Sequence, residues 1–129
     1  MATLNQVTLL DTNILIEIFK GNTDVIAPVQ LIGTENFALS AVTVMELYYG
    51  ALNKLELQRI RKHLRVFHCF HLSNAISVTA MHLIEQYSKS HGLQIPDALI
   101  AATAIEHECE LMTLNLKDFR FIPALKMKE

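Results

Sequence analysis

Four acidic side chains in this sequence have the type and the spacing to hold a hard cation. Asp11, Glu46, Asp97 and Asp118 each lie close to the point where a predicted strand ends or a predicted helix begins. Carboxylate oxygens are the ligands that Mg²⁺ and Mn²⁺ prefer in proteins, and without a cation clustered carboxylates raise each other's pKa. If the fold brings the four together, the sequence predicts a Mg²⁺ or Mn²⁺ site whose ion also serves as the catalyst.

Histidine and cysteine do not offer a competing metal or redox site. The six histidines are scattered, and the segment EHECE at 106–110 straddles a predicted helix end and a strand start, so its side chains would diverge. Cys69 and Cys109 lie far apart in apolar settings, which predicts buried free thiols rather than a disulfide. Zinc chemistry is therefore disfavoured.

The elements that must position the acids alternate between short apolar strands and helical periodicities. Strands are predicted at 7–10, 37–39, 70–72 and 111–113, with 124–127 as a candidate last strand. Helices are predicted at 12–19, 25–32, 41–49, 55–67, 75–90 and 96–106. This alternation implies a three-layer α/β domain, with a central parallel sheet flanked by helices. Sites in such sheets lie at the carboxyl ends of the strands.

Two of the acids follow the first two predicted strands. Asp11 comes directly after the strand at 7–10, although Asp11 or Thr12 could instead only cap the next helix. In the helix that Ser40 would cap and Gly50 would end, Glu46 shares a face with Val42, Thr43, Tyr49 and Gly50. We expect that face to pack inward, where a Glu needs a partner such as a cation. The alternative is a rotated helix with a solvated Glu46.

The other two acids lie in the last third of the chain. Pro96 suits the first helical position, and Asp97 then lies in the first turn, where the helix dipole favours its ionised form. Four alanines behind it let this helix approach the sheet closely. They are Ala98, Ala101, Ala102 and Ala104. In TLNLKDF, Asn115 and Asp118 follow the strand at 111–113.

Composition sets the limits on these interpretations. The 129 residues are 51% hydrophobic and 19% charged, which predicts one domain spanning 1–129 with a real core. No apolar stretch approaches the ~20 residues of a membrane span, and the first residues lack a basic secretion signal, so we expect a cytoplasmic protein without a membrane partner. A net charge of −2 does not by itself indicate nucleic-acid binding.

The predicted helix at 55–67 nevertheless carries a local basic patch. Five of the eleven Lys and Arg residues lie on or beside it while its apolar residues form another face. These candidate nucleic-acid-binding residues are Lys54, Arg59, Arg61, Lys62 and Arg65. A merely solvated face is the alternative.

Four motifs in this order resemble those of the PIN-domain ribonucleases, in particular the VapC-type toxins of bacterial type II toxin–antitoxin systems. They are DTN after the first strand, SAVTVMEL, IPDALIAATA and TLNLKDF, and together they span nearly the whole chain. The resemblance implies a PIN fold and a Mg²⁺- or Mn²⁺-dependent endoribonuclease whose acidic ligands map onto Asp11, Glu46 and Asp97. Many members carry an acid at the position of Asn115, so Asp118 is taken as the fourth ligand and Asn115 as supporting.

The resemblance implies further residues and partners. Thr12 and Thr113 resemble hydroxyls that the family places beside the metal, and Asn13 belongs to the first motif. A homodimer and a small VapB-type antitoxin are implied besides the RNA substrate. Candidate apolar surface for the antitoxin is Tyr48, Tyr49, Leu52 and residues 16–19.

Two other functions remain open from the sequence. In a haloacid-dehalogenase-like phosphatase Asp11 would be a covalent nucleophile, but such enzymes want an acid two residues on, where this chain has Asn13. A non-catalytic PIN-fold domain that binds RNA or protein is the second. A dinucleotide-binding domain is disfavoured, because no Gly-rich loop follows the first strand.

Overall fold

The protein folds around a four-stranded parallel sheet, which a computed structural model describes for residues 7–128. The strands are β1 (Thr8–Leu10), β2 (Phe37–Ser40), β3 (His68–Phe70) and β4 (Glu110–Met112), in the order β3-β2-β1-β4. The helices are α1 (Thr12–Phe19), α2 (Thr23–Ile32), α3 (Ala41–Tyr49), α4 (Lys54–Leu64), α5 (Asn74–His91) and α6 (Ile95–Glu106). Within this part of the chain no helix is long and apolar enough to cross a membrane.

Alternation along the strands divides the core between the two faces of the sheet. Leu9 and Ala38 face a cluster built with α5, α6 and the segment after β4, whereas Leu10 and Leu39 face a cluster built with α1, α2 and α4. The four alanines of α6 are fully buried, as expected for a helix that approaches the sheet closely. The predicted three-layer α/β fold with a central parallel sheet is therefore confirmed.

Local capping explains why several helices begin and end where they do. Ser40 accepts a hydrogen bond from the N–H of Val42 at 3.1 Å, and Gly50 ends α3, both as predicted. Asn53 and Ser73 cap α4 and α5 in the same way. Gly92 ends α5 at φ +70°, a left-handed conformation that glycine adopts without strain.

The structure differs from three predicted elements as follows. The third strand was predicted at 70–72 but is His68–Phe70, because this edge strand has an exposed His68 and a half-buried Cys69, which hide its apolar pattern. The helix predicted at 55–67 is Lys54–Leu64. The candidate strand at 124–127 is wrong as a strand, since within the described chain it reduces to one isolated bridge between Leu111 and Met127.

Candidate active site

Asp11 lies at the carboxyl end of β1, and its side chain is 6% exposed. One carboxylate oxygen accepts the N–H of Thr12 at 2.8 Å and caps α1, and the other accepts the hydroxyl of Thr113 at 2.8 Å. The two interpretations of Asp11 are thus compatible, because it caps a helix and also faces the edge of the sheet. Burial raises its pKa, the two hydrogen bonds lower it, and the charges of Glu46 and Asp118 raise it.

Thr113 ties Asp11 to the end of β4. Its hydroxyl oxygen accepts the side-chain amide of Asn13 at 3.3 Å and the backbone N–H of Asn115 at 3.0 Å. The side-chain oxygen of Asn13 in turn accepts the N–H of Leu114 at 3.2 Å. These bonds fix the start of α1 against the end of β4, so the carboxylate of Asp11 is held in one orientation.

Glu46 reaches the same edge from α3, but not as a buried residue. Thr12 donates its hydroxyl to Glu46 Oε1 at 2.7 Å and lies 3.0 Å from the hydroxyl of Thr43. The prediction that the face bearing Glu46 packs inward is wrong in part, because Thr43 is fully buried while Glu46 and Tyr49 are exposed. The helix rests on Val42, Thr43 and Leu47, and this leaves Glu46 at the rim of the site.

Asp97 comes from the first turn of α6, which begins at Ile95, so Pro96 occupies the second helical position rather than the first. Its side chain is half-buried. Desolvation raises the pKa of Asp97 to about 6, and the charges of Asp11, Asp118 and Glu46 add to that rise. The contributions of these three charges indicate that the four carboxylates lie near one another.

Asp118 ends a 3-10 turn, Leu116–Asp118, that returns the chain toward the site after β4. It is half-buried, and its charge raises the pKa of both Asp11 and Asp97. Asn115 is exposed and accepts the N–H of Asp118 through its backbone carbonyl at 3.0 Å. Of the two candidates for the fourth position, the turn thus brings Asp118 electrostatically into the group. We call the four residues Asp11, Glu46, Asp97 and Asp118 the acidic cluster.

The acidic cluster has the donor chemistry of a hard-cation site without closed ligand geometry. Across residues 7–128 no three His, Cys, Asp or Glu side chains are placed to surround one metal ion. Asp11 is held by Thr113 and Glu46 by Thr12. The oxygen-only donor set fits Mg²⁺ or Mn²⁺ rather than Zn²⁺.

A groove of about 510 Å³ opens beside Glu46, between α1, α3 and α4. Its apolar lining includes Ile16, Phe19 and Ile60, and Arg59 and His63 line it from α4. We call it the α4 groove. Of the antitoxin-facing candidates, Ile16, Ile18 and Phe19 lie in this groove, Tyr48 packs on the core, and Tyr49 and Leu52 are exposed outside the lining.

The basic residues of α4 divide between this groove and the surface beyond it. Arg59 lines the groove together with Glu46, whereas Arg61, Lys62 and Arg65 are exposed elsewhere on the helix. Lys54 is exposed at the first position of α4. Within residues 7–128 none of the five forms an ion pair, so their charges are not neutralised by neighbouring acids.

Sequence reasoning missed the residues that line a cavity together with Asp97 and Asp118. A second, smaller cavity of about 160 Å³ is lined by His91, Gly92, Leu93, Gln94, Asp97 and Asp118. The one available signal was position, because His91 and Gln94 stand just before the helix that presents Asp97. Thr43 was likewise not named as a site residue, although it had been placed on the same helix face as Glu46.

Comparison with known proteins agrees with this geometry. The family model of the PIN domain matches residues 8–123. A structure described as a toxin–antitoxin complex from Klebsiella pneumoniae is 36% identical, covers 92% of this chain and 94% of its own, and has a TM-score of 0.77. VapBC2 from Rickettsia felis, bound to a DNA fragment from its promoter, is 28% identical over 95% of this chain and 97% of its own, with a TM-score of 0.80.

A third solved structure, FitAcB from Neisseria gonorrhoeae, is 26% identical over 95% of this chain and 97% of its own, with a TM-score of 0.76. The comparison with curated protein sequences gave no match. The family model covers most of the chain, and the nearly full-length structural matches include one above 30% identity. The chain therefore belongs to the PIN domain family and is similar within it to the VapC-type toxins.

Proposed function

We propose that this protein is a divalent-metal-dependent endoribonuclease that hydrolyses RNA phosphodiester bonds and acts as the toxin of a VapBC-type toxin–antitoxin pair. Membership of the PIN domain family supports a nuclease. The observation that carries the proposal is the convergence of four carboxylates from four separate segments on one edge of the sheet. Burial raises the pKa of Asp97 to about 6, and the charges of Asp11, Asp118 and Glu46 add to that rise. A fold gains no stability from such repulsion, so its use is to attract a cation.

Mg²⁺ or Mn²⁺ would be held by Asp11, Glu46, Asp97 and Asp118. When bound, such an ion lowers the pKa of a coordinated water and neutralises charge on the phosphate oxygens of the transition state. The protein supplies the positioning: Thr113 orients Asp11, and Thr12 orients Glu46 through hydroxyl bonds of 2.8 and 2.7 Å. Asn13 and Asn115 support Thr113 from either side.

Family membership and the bonding of Asn13 both argue against the phosphatase alternative. The side chain of Asn13 is engaged with Thr113 and Leu114, so it does not stand as a second catalytic group beside Asp11. The non-catalytic alternative predicts no RNA cleavage. We therefore test the proposal by incubating labelled RNA with the full-length protein in Mg²⁺, Mn²⁺ or EDTA, beside Asp11→Asn protein.

We expect cleavage with either metal, none in EDTA and none with Asp11→Asn. The proposal is wrong if the parent protein leaves all RNAs intact, or if Asp11→Asn cuts at the parent rate. Cleavage that persists in EDTA would reject the metal-dependent mechanism.

RNA would reach the acidic cluster past α4. Its five unpaired cations give a basic approach to an acidic site, and Arg59 brings one of them into the groove that Glu46 lines. Changing both Arg61 and Lys62 to Ala should flatten the dependence of log affinity on log salt by roughly one to two units. Changing Lys126 and Lys128 to Ala instead removes the same charge away from α4 and is the matched control. If log affinity depends equally on log salt in the two variants, the basic residues of α4 form only a solvated face.

A small VapB-type antitoxin is the proposed protein partner. The structural neighbours include proteins solved as toxin–antitoxin complexes, and the apolar α4 groove beside Glu46 has the shape for a short amphipathic segment. A homodimer is proposed as well, consistent with exposed apolar side chains such as Val78 and Met81 on α5. Sedimentation of the protein with and without a co-expressed antitoxin tests both partners.

A further inference from the structure

The 160 Å³ cavity and the α4 groove are lined by different members of the acidic cluster. Glu46 lines the groove, whereas Asp97 and Asp118 line the cavity together with His91 and Gln94. A strand of RNA whose phosphate lies over the acids can therefore reach two separate spaces, one lined by Glu46 and one lined by Asp97 and Asp118. We call the smaller space the His91 cavity.

His91 is held in place by three neighbours. Its ring stacks on Phe121 with centroids 4.3 Å apart and planes 14° apart, and it meets Tyr87 edge-on at 5.7 Å. Nδ1 lies 2.8 Å from the hydroxyl of Ser90. Nε2 is then the ring nitrogen left for a ligand, since no partner for it is present within residues 7–128. An aromatic ring fixed in this way loses little freedom when a second ring packs against it.

The lining of the cavity selects among possible ligands. A bound cation would offset the charges of Asp97 and Asp118 for the scissile phosphate, whereas the rest of the space they line favours an uncharged group over a second phosphate. A cavity of about 160 Å³ has room for a flat ring. Gln94 offers an amide with both donor and acceptor atoms, as do the edges of a nucleobase. Ring stacking with such hydrogen bonds is the usual way to hold an unpaired base.

We propose that the His91 cavity binds one unpaired nucleobase of the substrate, next to the scissile phosphate, with His91 as stacking platform and Gln94 as the group that reads its edge. The inference rests on the proposed endoribonuclease function. It adds a specificity determinant to that function, because the identity of this base would decide which RNA is cut.

The test is the cleavage profile of a randomised single-stranded RNA pool, read by sequencing the product ends. The full-length parent protein should show a base preference at one position beside the cut. His91→Ala should lower kcat/KM by about 5- to 100-fold, the fold-change expected from losing one base–aromatic stack, and flatten the preference at that position alone. Gln94→Ala should flatten the same position, whereas His91→Phe should recover most of the rate by keeping a ring.

His82→Ala is the matched control, since His82 is an exposed histidine on the same helix outside the cavity lining. Binding is measured separately with labelled RNA and Asp11→Asn protein, to which His91→Ala should add a loss of affinity. The proposal is overturned if His91→Ala cuts and binds like His82→Ala, or if it impairs only antitoxin binding. If the parent protein cuts no RNA, the proposed endoribonuclease function is itself wrong. If the His91 and Gln94 variants keep the base preference of the parent, only the base-binding role of the His91 cavity is wrong.

Discussion

Asp11 and Asp97 belong to one acidic cluster and both have a raised pKa, but they differ in the hydrogen bonds that oppose that rise. Asp11 is the more buried, at 6% exposed, but two hydrogen bonds from Thr12 and Thr113 oppose the effect of burial on its pKa. For Asp97 no hydrogen bond from residues 7–128 opposes the rise, and desolvation, followed by the charges of three neighbouring carboxylates, raises its pKa to about 6. Burial is the largest cause of the raised pKa at both acids, and the hydrogen bonds of Asp11 offset part of that rise, so depth alone does not set the pKa of each acid.

Removing the carboxylate of Asp11, of Asp97 or of their neighbour Glu46 should have the largest effect on RNA cleavage. We expect Asp11→Asn, Glu46→Gln and Asp97→Asn each to lower RNA cleavage by more than about 100-fold, because each would lose a ligand rather than an outer-shell partner. The fold should survive, since each change also relieves repulsion. RNA digestion and circular dichroism melts measure the two halves. A variant that cuts at the parent rate would remove its residue from the site.

The fourth position extends the comparison to the turn after β4. Asp118 adds its charge to the cluster, whereas Asn115 is exposed and bonds Asp118 through its backbone. Asp118→Asn should therefore weaken Mn²⁺ affinity and cleavage more than Asn115→Ala does. Asn115→Asp should be tolerated or should tighten metal binding by adding a charge. The reverse order of effects would make Asp118 a loop residue and Asn115 the fourth ligand.

Thr113→Val would remove one of the two hydrogen bonds that distinguish Asp11 from Asp97. The change removes the hydroxyl that Asp11, Asn13 and Asn115 share, so we expect the pKa of Asp11 to rise further and metal affinity to fall by about 10- to 100-fold. The unfolding free energy should drop by about 1–3 kcal/mol because buried polar atoms lose their partner. Thr113→Ser keeps the hydroxyl and is the control. Equal metal affinity in the Val and Ser variants would contradict an orienting role for Thr113.

The pKa of Asp97 makes the stability of the metal-free protein depend on pH. With a folded pKa of about 6 and an ordinary value of 3.8, the folded state holds a proton that the unfolded state has released between those values. Stability from this group is therefore present at the acid end and is lost as pH rises through about 6. Asp97→Asn should exceed the parent in unfolding free energy by about 1–3 kcal/mol near neutral pH, with the gap closing toward about pH 4.

Denaturant unfolding in EDTA across this pH range measures the gap. Asp24→Asn changes an exposed first-turn acid of α2 and controls for the loss of a charge at a helix start. If the difference in unfolding free energy between Asp97→Asn and the parent is constant with pH, the pKa of Asp97 is not raised in the folded protein.

The sequence predicted the parts of this site that depend on local order along the chain. The end of β1 directly before Asp11, the start of α3 directly after Ser40 and the placement of Asp97 in the first turn of α6 follow from apolar periodicity and capping residues. Glu46 was placed inward because its helix face was read without knowing how α3 rests on the core. The third strand was predicted two residues too far along the chain, because the first residues of β3 are not buried.

Features that depend on packing between distant segments could not be predicted in the same way. The α4 groove needs side chains of α1, α3 and α4 at one place, and the His91 cavity needs the end of α5 to meet the turn that carries Asp118. The stack of His91 on Phe121 joins residues 30 positions apart with no periodic signal between them. Such contacts follow from the assembled tertiary structure rather than from any local pattern.

Titration of Mn²⁺ into the metal-free protein by calorimetry tests most directly whether the acidic cluster holds a divalent cation. We predict saturable binding to the parent protein, and its loss or strong weakening in Asp11→Asn, Glu46→Gln and Asp97→Asn, with Asp24→Asn binding like the parent. Absence of Mn²⁺ binding to the parent, or binding of equal strength in all four variants, would contradict a metal site at this edge of the sheet and the nuclease mechanism built on it.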